Sequence, residues 1–156
     1  SVVLDLGANI ECSPKNLIDF SIMGSSLFKS LYPDDTARVA LLNIGSEELK
    51  GNEIIKETYQ QLNQRNNTGF EFMGYIEGNQ LMNGDVNVIV ADGFTGNVAL
   101  KTAEGTANFI TSELKEAMTG SIIGKISSLL NISNLNKFKK NQDDDNYDCS
   151  HFVNIM

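Results

Sequence analysis

Short apolar runs alternate with longer amphipathic stretches along most of the chain. Val2-Val3-Leu4-Asp5-Leu6 is stopped by Gly7, and Val39-Ala40-Leu41-Leu42 is stopped by Asn43 and Gly45. Runs of this length, with no polar alternate face, read as strands buried on both sides. Phe70-Glu71-Phe72-Met73-Gly74-Tyr75 and Val86-Asn87-Val88-Ile89-Val90-Ala91 are the third and fourth strand candidates; both show some alternation, and Asp92-Gly93 ends the fourth.

Helical spacing fills the intervals. Ser13 as N-cap and Pro14 at the first helical position open a helix with Leu17, Phe20, Leu27, Phe28 and Leu31 on one face, and Pro33 marks its end. Asn52 caps a second helix carrying Ile54, Ile55, Tyr59 and Leu62, which runs out in the polar stretch at 63–67. A third starts near Asn97 and places Leu100, Ala103, Ala107, Ile110 and Leu114 on one stripe. Strand and helix in alternation predict an α/β fold: an open, mainly parallel sheet reached by right-handed crossovers, with helices on both faces.

The pattern changes after Gly120. Ile122, Ile123, Ile126, Leu129, Leu130, Ile132, Leu135 and Phe138 form an apolar stripe whose accompanying charges are lysines, with no carboxylate between Glu116 and Asp143. Residues 1–120 therefore read as the ligand-binding core, 121–140 as a protruding amphipathic helical element, and 141–156 as an irregular acidic tail. An ordinary core-facing helix is the alternative for 121–140. A first residue in a strand, with no methionine or leader before it, predicts a piece of something longer, incomplete at both ends.

Composition narrows the function classes. With 156 residues and 41% hydrophobic side chains, the chain can bury one core without a disulfide or metal staple. Cys12 and Cys149 have no metal-ligand spacing, so no metal is expected and a cytoplasmic setting is favoured. A net charge of −8 argues against nucleic acid as a partner. No run approaches the roughly 18 apolar residues of a membrane span.

In an open parallel sheet, ligands bind beyond the carboxyl ends of the strands, and three loops there are rich in glycine and amides. They are Asp5-Leu6-Gly7-Ala8-Asn9, the stretch from Asn43 through Gly45 and Lys50-Gly51 to Asn52, and Asp92-Gly93-Phe94-Thr95-Gly96-Asn97. Gly93 and Gly96 allow close backbone approach, and a helix N-terminus after them favours an anion. The alternative is that Asp92 and Gly93 end a strand and Asn97 caps a helix. Lys50 suits phosphate, or is merely solvated. Lys101, one turn after Asn97, faces either the same mouth or solvent. No Gly-Lys-Ser/Thr loop and no Gly-x-Gly-x-x-Gly fingerprint is present, which disfavours P-loop and ordinary NAD chemistry, so no cofactor is expected. The single histidine, His151, lies in the tail, and neither it nor Cys12 builds a nucleophile-base pair.

These loops, together with Leu41-Leu42-Asn43-Ile44-Gly45-Ser46-Glu47-Glu48, Lys50-Gly51-Asn52-Glu53 and the continuation Val98-Ala99-Leu100-Lys101-Thr102, occur in an order that resembles the bacterial phosphate acyltransferase (PlsX) family over about residues 1–140. The resemblance implies a Rossmann-like three-layer fold of the isopropylmalate-dehydrogenase type. It also implies transfer of a fatty acyl group from acyl carrier protein to inorganic phosphate, giving acyl phosphate for phospholipid synthesis. Phosphate is a competent nucleophile at neutral pH, so such an enzyme needs to hold it and stabilise the thioester oxygen. Lys50 and Asn97 are then the expected catalytic residues, and Gly7, Ala8, Asn9, Asn43, Gly45, Asn52, Asp92, Gly93, Thr95 and Gly96 the expected substrate-binding ones. The resemblance further implies a homodimer and peripheral contact with the inner face of the cell membrane through Ile122, Ile126, Leu129 and Leu130. The tail after 140 does not match the family's continuation. A phosphotransacetylase-like enzyme using coenzyme A thioesters and a catalytically inactive interaction module are the competing readings.

Overall fold

The computed structural model describes residues 1–65 and 69–119, with side chains through Ala117. The element predicted at 121–140, with Ile122, Ile126, Leu129 and Leu130, and the tail carrying Cys149 and His151, lie outside the described residues. Four strands, β1 (Val2–Leu4), β2 (Arg38–Asn43), β3 (Glu71–Glu77) and β4 (Val88–Val90), alternate with helices α1 (Pro14–Leu31), α2 (Glu53–Asn63) and α3 (Gly93–Thr119); a single 3-10 turn, Gly78–Gln80, lies between β3 and β4. All strand pairs are parallel, in the order β1-β4-β2-β3. The chain forms two compact units, the first comprising residues 1–99 and the second beginning at Leu100. The sheet and the three loops belong to the first.

The apolar runs are strands because both sheet faces are buried. Val2, Leu4, Val39, Leu41, Val88 and Val90 form one face of the core with Leu17, Ile18 and Phe28 of α1 and Ile55 and Leu62 of α2. Val3, Ala40, Leu42 and Ile89, pointing the other way, are equally buried. Burial of each such side chain contributes roughly 1.5–3 kcal/mol, so the central strands tolerate no polar alternation. The crossovers from β1 to β2 and from β2 to β3 run in the same direction along the sheet, which puts α1 and α2 on one face, where they touch each other.

Local signals set the helix ends. The Ser13 hydroxyl accepts from the Asn16 amide at 3.3 Å, and the Asn16 side chain accepts from the Ser13 amide at 2.9 Å, a reciprocal cap ahead of Pro14. The buried face of α1 is Leu17, Ile18, Ser21, Gly24, Ser25 and Phe28, whereas Leu31, expected on that face, is 60% exposed. Small residues take its centre because α1 crosses the sheet there: a Cβ on Gly24 would stand 2.5 Å from Val88 Cγ1 and 2.9 Å from Leu4 Cδ1. β3 extends past Tyr75 to Glu77 through a bulge. Ala40 alone opposes Met73 and Gly74, and Gly74 takes the positive φ of 84° that this requires. The third helix begins at Gly93, four residues before the expected Asn97. Ala107, Ile110 and Leu114, predicted as a buried stripe on it, are exposed.

Candidate functional site

β4 is the last of the described strands in sequence but lies between β1 and β2, so the segment that follows it enters between the loops that follow those two strands. The parallel direction of the strands brings the three predicted loops to one end of the sheet, at the strand carboxyl ends, and this insertion makes the third a neighbour of the other two.

The loop after β1 is organised by its first residue, Asp5, which is not among the expected site residues. The Asp5 side chain, 3% exposed, accepts from the backbone amides of Gly7 (2.8 Å), Ala8 (2.8 Å) and Asn9 (2.7 Å), and from Asn9 Nδ2 (2.8 Å). Burial works against its ionisation, but the hydrogen bonds from Ala8, Asn9 and Gly7 outweigh it and hold the carboxyl below the usual aspartate range. Gly7 sits at φ 129°, which side-chain-bearing residues rarely adopt. A Cβ there would lie 3.5 Å from Asn97 Cβ and Cγ, so Gly7 and Asn97 are neighbours.

The loop after β4 is clamped onto the first. The Gly93 amide donates to the Asn9 carbonyl at 2.9 Å, and a Cβ on Gly93 or Gly96 would overlap the carbonyls of Asn9 and Asp5 respectively. The predicted role of both glycines, close backbone approach, is therefore met by protein backbone. Asp92 is the cap of α3: its Oδ1 accepts from the Thr95 amide at 2.8 Å, and its Oδ2 from the Thr95 hydroxyl at 2.7 Å. Asn97 is thus no cap. Its side chain is exposed and has no hydrogen-bond partner among the described residues. Lys101 pairs with Glu104 at 2.8 Å on the exposed surface.

In the loop after β2, buried Asn43 donates to the carbonyls of Gly45 and Lys50, each at 3.1 Å, and closes the loop across its base. Gly51, at φ 92°, lies against the Asn43 side chain, and Asn52 caps α2 by accepting from the Ile55 amide at 2.9 Å. Lys50 is exposed and forms no salt bridge with a described residue.

Between these loops lies a cleft of about 790 Å³. Its walls are Ile10, Glu11, Cys12 and Ser13 after β1, Leu17 of α1, Asn52, Ile54 and Ile55 at the start of α2, and Asp92, Phe94 and Thr95 at the start of α3. Sequence reasoning passed over Ile10 and Phe94, which are 78% and 65% exposed; two large apolar residues inside glycine-rich loops were the available signal. Burial raises the Cys12 thiol pKa, and the charges of Asp5 and Asp92 raise it further against the opposing Gly93 amide, which disfavours its thiolate form. Of the predicted site residues, Asn52, Asp92 and Thr95 line the cleft. Gly7 and Asn97 are neighbours that do not line it, Asn9 and Gly93 join the segments after β1 and β4, and Lys50 stands on the loop after β2 without lining it. Among the described residues no cluster of histidine, cysteine, aspartate and glutamate could hold a metal, and no helix there is long and apolar enough to cross a membrane.

The family model described as "Fatty acid synthesis protein" matches residues 1–155. A phosphate acyltransferase from Pelagibacter ubique is 85% identical over 155 residues, 99% of this chain and 46% of that protein. Phosphate acyltransferases from Rhodospirillum rubrum and Maricaulis maris are 43% and 41% identical over 99% and 92% of this chain, which covers 44% and 41% of them. The chain spans less than half the length of these relatives, and its loops and sheet order are those of a coherent strand-end site. By the extent of the family match and this level of identity, the chain belongs to the fatty acid synthesis protein family, whose members compared here are named phosphate acyltransferases.

Proposed function

We propose that this chain forms part of an enzyme that transfers a fatty acyl group from acyl carrier protein to inorganic phosphate, giving acyl phosphate for phospholipid synthesis. The observation that carries the reading is two polar groups with no hydrogen-bond partner among the described residues, the Lys50 ammonium on the loop after β2 and the Asn97 amide near the start of α3, both at the end of the sheet that bears the cleft. In this reading Lys50 neutralises phosphate, and Asn97 donates to phosphate or to the thioester oxygen as it gains charge. Attack by a phosphate oxygen on the thioester carbon expels the thiolate, so no protein nucleophile is needed, in keeping with a neutral Cys12. Glu11 and Asp92 disfavour the phosphate dianion inside the cleft, whereas Ile10, Ile54 and Phe94 suit the neutral acyl portion.

The test is acyl-phosphate formation by the Pelagibacter ubique relative carrying this chain in place of its matching segment, and by the 156-residue chain itself. Lys50→Ala and Asn97→Ala are each expected to lower turnover about 100-fold or more; near-normal rates in both sink the assignment. Faster reaction with coenzyme A thioesters than with acyl carrier protein thioesters would favour the phosphotransacetylase-like alternative. We also propose that the chain works as a homodimer in the cytoplasm and touches the membrane surface through residues 121–140, on the strength of their apolar stripe and lysines. Liposome flotation unchanged by Leu129→Glu removes the membrane part.

A further inference from the structure

We propose that Asp5 is a positioning residue for this site, its buried carboxylate holding Gly7, Ala8 and Asn9 in the one arrangement that sets the Asn97 amide at the mouth. The inference rests on the role given to Asn97 above and deepens it. Three successive backbone amides and one side-chain amide converge on the Asp5 carboxylate at 2.7 to 2.8 Å. A run of amides of this kind is what loops offer to a free phosphate. Here the occupant is the protein's own anion, so the Gly7, Ala8 and Asn9 amides are taken up by Asp5, and in this reading the work of holding substrate falls to side chains across the mouth.

Asp5 reaches Asn97 by two routes. Its carboxylate fixes Gly7, whose unfilled Cβ position lies 3.5 Å from the Asn97 side chain, while its carbonyl is the surface on which Gly96 sits. Asn9, tied to the same carboxylate, receives the Gly93 amide at 2.9 Å and so anchors the first turn of α3. With no hydrogen bond from Asn97 to a described residue, its place on α3, anchored through Gly93 and Gly96, and its nearness to Gly7 set where its amide stands. Replacing Asp5 by asparagine keeps the size but turns one acceptor into a donor, which then opposes either the Gly7 and Ala8 amides or those of Asn9. The loop must open, and a displacement of about 1 Å at a reacting group costs on the order of 100-fold in rate.

The experiment compares Asp5→Asn, Asp5→Ala and Asn97→Ala in acyl-phosphate formation, with formate added to each. Asp5→Asn is expected to lower kcat about 10- to 100-fold with the thioester KM close to that of the parent. Formate should restore part of kcat to Asp5→Ala, where a small carboxylate can refill the vacated space, and none to Asp5→Asn, where the side chain fills it. Impaired Asn97→Ala beside normal Asp5→Asn overturns the inference alone; normal turnover in Asn97→Ala overturns the reading of the site and the inference with it. Should the Asp5 variants fail to fold, an acid titration of the parent chain by NMR decides. The Gly7, Ala8 and Asn9 amides and the Asn97 side-chain amide are expected to shift with one shared midpoint, and an Asn97 resonance that stays still while the three amides titrate overturns the proposal.

Discussion

Gly96 lies against the carbonyl group of Asp5, with the position of a Cβ only 3.0 Å from the Asp5 carbonyl carbon and overlapping its oxygen. The obstacle is backbone on both sides, so no side-chain rotation relieves it. Gly96→Ala is expected to destabilise the chain by about 1–3 kcal/mol, despite the better helix propensity of alanine, and to separate the loops after β1 and β4. A lower urea midpoint at unchanged m-value checks it. Wild-type stability would show that the two loops can move apart freely.

How far the sequence discloses this arrangement depends on the kind of contact involved. Ile89 or Leu41 is legible as core because an apolar side chain in a short run has one stable place, between layers. The three loops are legible as a site because strand ends in a parallel sheet collect there whatever the strand order. Their internal wiring is not. Asn43 and Asp92, read in sequence as binding residues, also serve as a loop tie and a helix cap, and Asn52 makes the cap its sequence position predicts; one amide or carboxylate serves either purpose, and only the distance to a backbone partner shows the structural one. Asp5 is hidden for the opposite reason: a carboxylate at the edge of an apolar run shows no role until its donors are in place. The start of α3 was misplaced because Gly93 and Gly96 have poor helix propensity, and packing against Asp5 and Asn9 overrides it.

The approach of Gly24 to Val88 gives a second prediction. Here the atoms in the way are side-chain methyls, Val88 Cγ1 at 2.5 Å and Leu4 Cδ1 at 2.9 Å from a notional Cβ. Gly24→Ala gains up to about 1 kcal/mol in helix propensity but strains the α1 packing by about 1–3 kcal/mol. The net expectation is a modest loss. Val88→Ala on its own leaves a cavity, and the double variant should be more stable than the sum of the two losses predicts. Additive losses in a double-mutant cycle would place α1 elsewhere on the sheet.

Asp5 also makes stability depend on pH in a definite direction. Its pKa is lowered in the folded chain relative to the ordinary aspartate value, about 3.9 in unfolded chains, so the folded state binds its proton less readily. The stabilisation it contributes is complete above the unfolded value, and is lost as pH falls from about 4 through the lower folded pKa. Urea midpoints measured between about pH 6 and 2.5 should fall more steeply in the parent than in Asp5→Asn below about pH 4. Parallel curves would mean the carboxylate does not carry its charge into the fold.

Asn43 and Asn52 separate a tie from a cap. Asn43 is buried, and its removal leaves the carbonyls of Gly45 and Lys50 without their donor, so Asn43→Ala is expected to cost about 1–3 kcal/mol and to loosen the whole loop that carries Lys50. Asn52 is exposed, and Asn52→Ala should cost about 1 kcal/mol as a lost cap, with Asn52→Asp nearly neutral because a carboxylate accepts from the Ile55 amide equally well. Hydrogen exchange distinguishes the two. Asn43→Ala should raise exchange at the Lys50 amide, which donates to the Glu47 carbonyl at 2.9 Å inside the tied loop, whereas Asn52→Ala should raise it in the first turn of α2 and leave Lys50 protected. Binding of inorganic phosphate then reports on function: it should weaken in Asn43→Ala, where the ammonium loses its platform, and persist in Asn52→Asp. Loss of phosphate binding in Asn52→Asp with α2 intact would show that Asn52 binds substrate as well as capping α2.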